Sequence, residues 1–382
     1  MKSRATFLLL SVALASSCNQ PSRKPQGESD ELAWENVPHA RCNRAQNQKL
    51  VGAVANRERL RLQLPWFPNG EHSYAYLGGD LGIFAFHGFD VTIQAGKGSD
   101  VAARSLAAGS EDAAVIGGDA LVLVNQEGGD LRSLGAVYDE TPVTIYSLAE
   151  KNITRPDQLY GKRLGLMPGS NTFTQYHGWA NMASDNAEGK VATFDRKRVT
   201  EVVVPAASAP AMILAGESQP ASENTLDALV HYTQFEPLQA RGAGHNVNEI
   251  RLSSLPGVKI YGMLLAVRDG HFNRDQLYRL KAAVYDSFMC SKADPQASIN
   301  ALDSANPGAG FGTAQGTDKQ RGYAVRQLGM MIDEMACKNR GAACEGFLSQ
   351  NDDYWNATED TLIKFKLLKD RPALDKLRIK LD

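Results

Sequence analysis

The residues best suited to meeting a small molecule fall in four short stretches, each at the point where an apolar run gives way to a loop. In "LPWFPNGEH", Trp66, Asn69 and His72 follow an alternating run in which Leu60, Leu62 and Leu64 are separated by Arg61 and Gln63. An indole offers a flat apolar face and one N–H, while the amide and the imidazole can hydrogen-bond a ring nitrogen or a carbonyl. In "GGDAL", Gly118 would let backbone approach a ligand, and Asp119 suits a helix cap first and an amine contact second. In "MPGSNTF", Ser170, Asn171 and Thr172 open a helix whose free N–H groups favour an anionic or carbonyl atom, with Tyr176 one turn further on. In "HYTQFEP", Tyr232 can stack on a ring against Trp66, and Glu236 can pair with an amino group; Tyr138 ends another apolar run. Together these describe a site for a planar, partly polar guest.

Each residue also has a plain structural use. Trp66, Tyr138, Tyr176 and Tyr232 can be core, Asn69 and His72 can start a helix, and Glu236 can be a solvated surface acid. Patterns for transforming a ligand are missing. "GKGSDV" lacks the third glycine of a dinucleotide loop, and neither a phosphate-loop GxxxxGK[ST] nor a GxSxG elbow occurs. Neither Glu111–Asp112 nor Asp352–Asp353 has the spacing of an acid/base pair. The seven histidines are scattered, and no Cys/His spacing suits a metal, so neither a metal nor a cofactor is expected.

The elements that must position these loops alternate. After a short helix over about 43–55, the pattern predicts a strand at 60–64, a helix over 72–87 and a strand at 89–96. A helix over 100–108, a strand at 113–118, a helix over 119–127 and a strand at 131–139 follow. A second series has strands at 163–169, 200–205 and 226–232, with helices over 172–183 and 210–215 between them. "VKIYGMLLAVR" adds a long apolar strand, and the remainder reads as helices over 274–290, 295–301, 318–337 and 357–368. This is α/β with a mainly parallel sheet in each of two lobes, joined by two crossing strands, Pro142–Leu148 and Lys259–Val267. Lobe one is expected to take 57–144 and 259–382, and lobe two 145–258. The carboxyl ends of the parallel strands would face a crevice between them.

At 382 residues the chain is long enough for two cores, and its 43% hydrophobic and 22% charged residues are ordinary for a soluble protein. A formal net charge of −2 gives no basic field for nucleic acid. The start, "MKSRATFLLLSVALASSC", has two basic residues, a short apolar core and small residues before Cys18, the layout of an export signal over 1–17. Small residues directly before Cys18 also suit a lipoprotein cleavage site, so Cys18 is the expected lipid anchor. Residues 18–56 then form a tether and an N-terminal extension. Export makes disulfides possible for the remaining four cysteines. Cys337 and Cys344 flank the short loop "CKNRGAAC", and pairing them leaves Cys42 with Cys290; spacing alone leaves the other two pairings open.

Four stretches in consecutive order resemble the type II periplasmic substrate-binding proteins of ABC importers, in the branch related to the thiamine-pyrimidine synthases. They are "LPWFPNGEHSYAYLGGDLGIFAFHGFDVTIQAGKG", "LAAGSEDAAVIGGDALVLV", "AVYDETPVTIYSLAEKNITRPDQLYGKRLGLMPGSNT" and "LDALVHYTQFEPLQARG". The resemblance implies two lobes closing by a hinge over a small N-heterocyclic solute, thiamine-pyrimidine-like or flavin-like. It also implies delivery to an ABC permease by a monomer in the periplasm or at the cell surface. Neighbouring branches take sulfonates, taurine or nitrate. Some relatives are instead single-turnover enzymes that form the thiamine pyrimidine and carry a cysteine-rich stretch on the second crossing strand. Here that strand reads "KIYGMLLAVRD", which argues against the enzyme. Tyr74 and Tyr76 replace the small residues usual after the Asn69–His72 loop and are expected to narrow or reshape the pocket.

Overall fold

The computed structural model describes residues 34–51, 56–185, 193–205, 208–215, 224–307, 318–338, 344 and 346–381. The export signal, Cys18 and the tether lie outside the described residues. Ten strands are described: β1 Glu58–Gln63, β2 Phe89–Gln94, β3 Ala113–Gly117, β4 Leu131–Ala136, β5 Val143–Leu148, β6 Arg163–Leu166, β7 Thr200–Val203, β8 Ala228–Tyr232, β9 Val247–Arg251 and β10 Met263–Arg268. The helices up to β8 are α1 Arg44–Val51, α2 Ser73–Asp80, α3 Ile83–Phe86, α4 Ser99–Ala107, α5 Gly118–Gln126, α6 Asn171–Ser184 and α7 Ala209–Ala215. After β8 come α8 Glu236–Gly242, α9 Arg274–Ala293, α10 Pro295–Ala305, α11 Asp318–Met330 and α12 Asp352–Lys364.

The strands make two five-stranded sheets, in the orders β2-β1-β3-β10-β4 and β7-β6-β8-β5-β9. In the first, β1 runs parallel to β2 and β3, while β10 is antiparallel to both its neighbours. In the second, β6 runs parallel to β7 and β8, while β5 is antiparallel to β8 and β9. The antiparallel member of each sheet is the strand that has just crossed from the other half of the chain. Both are buried on both faces along nearly their whole length, β10 as an apolar run up to Arg268 and β5 with Thr144 and Ser147 among apolar residues, which is why neither shows the alternation seen in β1. The molecule is thus the expected two-lobed α/β fold, with sheets that are mixed where mainly parallel ones were expected, because each takes in a crossing strand that runs against its neighbours.

Local departures have local causes. The helix expected over 72–87 breaks into α2 and α3 at Gly82, which sits at φ +68°, a conformation that glycine adopts without strain. The helix expected over 318–337 stops at Met330 and continues as a π-type turn over Met331–Ala336. Near the end, α12 starts five residues before the expected Ala357, because Asn351 caps it by accepting from the Tyr354 N–H at 2.7 Å. Neither α8 nor β9 was expected. Two disulfides, Cys42–Cys290 and Cys337–Cys344, are present. The first pins the N-terminal extension to α9, where Asp286 also receives the ring of His39 at 2.6 Å and the Ala40 N–H at 2.7 Å.

Candidate functional site

Beyond Gln63 the chain turns outward through Leu64–Pro68, with the loop after β2 backing it. The Gly96 N–H donates to the Trp66 carbonyl and the Gly98 N–H to the Pro65 carbonyl, both at 2.9 Å. A side chain on Gly96 would put its Cβ 2.1 Å from the Leu64 carbonyl oxygen, so only glycine lets the two loops approach this closely. The supported indole of Trp66 is half-buried. It lies edge-on to Phe67 at 5.2 Å and to His231 at 6.3 Å, the latter on the other lobe.

Asn69 then starts a short helical turn, Gly70–His72. Its Oδ1 accepts from the Glu71 N–H and its Nδ2 donates to the Phe67 carbonyl, both at 2.8 Å. That turn brings Glu71 and His72, each about 1% exposed, to the cavity wall. Oε1 of Glu71 accepts from the Tyr138 hydroxyl. Oε2 of Glu71 and both ring nitrogens of His72 have no hydrogen-bond partner among the described residues. An unsatisfied buried polar group of this kind costs about 1–3 kcal/mol, a cost that a ligand's donors and acceptors can offset. Burial lowers the His72 pKa, with the Glu71 charge pulling the other way, so the ring is neutral and offers one donor and one acceptor.

The opposite wall belongs to the second sheet. Ser170 caps α6, accepting from the Phe173 N–H at 3.4 Å while donating to the Met167 carbonyl at 2.6 Å. Asn171 and Thr172 follow in the first turn, and Oδ1 of Asn171 accepts from the Tyr232 hydroxyl. At the end of β8 stand His231 and Tyr232, then Phe235; Nδ1 of His231 lies 2.6 Å from a carboxylate oxygen of Glu236. The lobes meet at the lip. Gly98 sits at φ +134°, and a Cβ there would lie 3.0 Å from the Gly169 carbonyl oxygen.

Between these walls is a narrow, nearly closed cleft with about 20 Å³ open to water-sized occupants. Its lining is Pro65, Trp66, Glu71, His72, Gly98 and Ser99 from one lobe, and Met167, Ser170, Asn171, Thr172, His231, Tyr232 and Phe235 from the other. Trp66, His72, Ser170, Asn171, Thr172 and Tyr232 are therefore brought together. The remaining residues singled out from sequence sit behind the wall. Asn69 holds the helical turn, Tyr138 holds Glu71, and Glu236 pairs with His231. Asp119 is fully buried beside Gly117, whose added Cβ would lie 2.6 Å from Oδ1 of Asp119 and 2.9 Å from Nδ2 of Asn171. Gly118 packs under the crossing segment, where a Cβ would come 2.6 Å from that of Tyr261. Tyr176 is buried against Trp179 and His177. Tyr74 and Tyr76 do not line the cleft; both are buried in the first lobe, Tyr74 against Phe288. Trp66 lies edge-on to His231, and Tyr232 lines the same cleft.

Sequence reasoning missed Glu71, Ser99, Met167, His231 and Phe235. His231 and Phe235 lie inside a stretch already singled out. A wider reading of each strand-end loop would have included them, and Glu71 reads as an ordinary first-turn acid until its burial is known.

Two α/β lobes meeting at a cleft lined by their strand-end loops define a molecule of the periplasmic-binding-protein type. The chain belongs to the NMT1/THI5-like family, whose model matches residues 69–298. Among solved structures it is similar to the alkanesulfonate-binding protein SsuA from Xanthomonas axonopodis pv. citri bound to MOPS. There the identity is 15% and the TM-score 0.56, over 85% of this chain and 100% of that one. A protein from Bordetella bronchiseptica RB50 gives 13% identity and a TM-score of 0.59, over 84% and 94% of the two chains. The periplasmic aliphatic sulphonate binding protein SsuA from Escherichia coli gives 13% and 0.52, over 73% and 84%. At these identities the likeness speaks for the fold and not for the ligand. No curated protein matches the sequence.

Proposed function

We propose that this chain is an exported solute-binding protein of an ABC importer, and that it holds a small planar N-heterocycle without transforming it. One observation carries the reading. The interlobe cleft joins an indole edge to a buried acceptor and a neutral imidazole: Oε2 of Glu71 and both ring nitrogens of His72 have no hydrogen-bond partner among the described residues. A heterocycle bearing an N–H or an amino group satisfies both: its donor meets Oε2 of Glu71 and its ring nitrogen or carbonyl meets the imidazole. Trp66 covers the apolar face. The strand-end loops come from both lobes, so a ligand touching both favours the closed arrangement, which the permease then receives. Cys18 is proposed to carry the lipid that keeps the protein, as a monomer, at the membrane. Among the described residues no helix is long and apolar enough to cross a membrane.

A sulfonate, taurine or nitrate ligand is the second reading, favoured by the start of α6, whose N–H groups suit an anion. Against it stands the lining itself, which among the described residues contains no Lys or Arg and does contain the carboxyl of Glu71. Desolvating an anion beside a carboxylate costs more than one helix end returns. Calorimetry with aminopyrimidines, flavins, sulfonates and nitrate separates the two. The heterocycle reading requires a pyrimidine or flavin to bind at least about tenfold more tightly than any sulfonate, and the reverse order overturns it.

A further inference from the structure

The helix α11 lies outside the stretch that the family model matches, yet it reaches both walls of the cleft. Gln327, 1% exposed, accepts from the Gly70 N–H at 2.9 Å on the first lobe. The same amide donates to the Gln234 carbonyl at 3.1 Å on the second lobe. One turn earlier, the Tyr323 hydroxyl donates to the Phe235 carbonyl at 3.1 Å. Gly70 has no side chain to spare: a Cβ there would lie 2.1 Å from the Ala324 carbonyl oxygen, so the helix backbone rests directly on the turn that carries Glu71 and His72. Its other contacts, with α10 and this turn, belong to the first lobe; its grip on the second is α8 and the carbonyls of Gln234 and Phe235.

We infer that α11 is a closure latch, with Gln327 and Tyr323 as positioning residues that set the two ligand-bearing loops at their closed spacing. The inference rests on the hinge-closing reading above. Both bonds of Gln327 end on backbone groups, one on each lobe, so both form only when the lips are together. Opening carries Gln234 and Phe235 away and takes the acceptors from Nε2 of Gln327 and the Tyr323 hydroxyl. The latch therefore holds closure through contacts that never touch the ligand. Affinity becomes sensitive to residues outside the cleft.

The test follows interlobe distance in the ligand-free full-length protein by single-molecule energy transfer, with dyes at Asp90→Cys and Lys197→Cys, one exposed site on each lobe. Gln327→Met removes both bonds, and Tyr323→Phe removes one while keeping the ring. Each lost hydrogen bond to the second lobe is expected to lower the closed-to-open ratio about three- to tenfold, with the melting temperature of Tyr323→Phe unchanged. Gln327→Glu keeps the acceptor for Gly70 but cannot donate to Gln234, so it should open the protein as Tyr323→Phe does. If the wild type shows two distances and Tyr323→Phe leaves their ratio unchanged, the latch is wrong and the hinge stands. A single distance in the wild type and in every variant removes the hinge and the latch together.

Discussion

Tyr138 donates its phenolic hydrogen to Oε1 of Glu71, which leaves Oε2 as a buried acceptor 4.0 Å from Nε2 of His72. The tyrosine is itself fully buried, and burial first, then the Glu71 charge, raises its pKa well above the usual value, so it stays a donor. The pair thus presents one fixed oxygen to the cleft. Glu71→Gln keeps the shape but loses the charge, and a hydrogen bond to a charged group contributes about 1.5–3 kcal/mol. Calorimetry should show the best-binding heterocycle weakened by roughly ten- to a hundredfold. Tyr138→Phe, which frees the carboxyl to turn, should weaken it by a smaller factor. Equal affinity in wild type and Glu71→Gln would take this carboxyl out of the site.

Trp66 is expected to supply the apolar face. Trp66→Ala should weaken ligand binding at least about tenfold, roughly 1.4 kcal/mol or more. The indole is only half-buried and stands on a loop, so the melting temperature should hold. A matching drop in both quantities would mean that the ring braces the fold instead of the guest.

The strand-end loops were legible because apolar runs such as Leu60–Leu64 and "LDALVHY" fix where strands stop, and in parallel α/β sheets their carboxyl ends face the crevice. What alternation cannot tell is which side of a loop each residue takes. Asn69 and His72 are three residues apart, yet one is spent on backbone hydrogen bonds and the other lines the wall. Glu71 was hidden for a related reason: its burial depends on Tyr138, which arrives from a different strand end. Gln327 was out of reach altogether, because its partners Gly70 and Gln234 are separated from it by 257 and 93 positions. Only the folded chain sets that amide beside the cleft.

Two acids of the first lobe lie against the start of α6. Burial, then the charge of Asp100, pushes Asp119 up to about 7, while the amides of Gln175 and Asn171 and the Ala120 N–H pull the other way. Burial likewise raises Asp100 to about 6, against Arg104 and the Thr174 hydroxyl. A raised acid holds its proton in the folded form, so ionisation works against folding. The folded state is therefore favoured at the acid end, loses stability as pH rises from about 4 to about 7, and is level above that. Asp119→Asn should flatten this slope: its melting temperature should exceed the wild type's at pH 8 and approach it at pH 5. An unchanged difference between pH 5 and pH 8 would remove Asp119 as the titrating group.

The N-terminal extension has a pH window of its own. Asp286 sits between His39 at 2.6 Å and His87 at 2.8 Å, beside the Cys42–Cys290 bridge. The hydrogen bond to Asp286 raises the His39 pKa despite partial burial. Burial alone would raise Asp286, but the bonds from His39 and His87 bring it below 3.8. A raised histidine contributes fully below its unfolded value of 6.5 and loses that contribution as pH climbs through the folded one. A lowered aspartate contributes above 3.8 and loses it on acidification. Docking of residues 34–51 should thus be tightest between about pH 4 and 6.5 and loosen toward pH 8. Hydrogen exchange at α1 reads this directly, with intrinsic exchange rates corrected for pH. His39→Ala should abolish the loss of protection between pH 6 and pH 8. If that loss persists in the variant, the histidine is not its source.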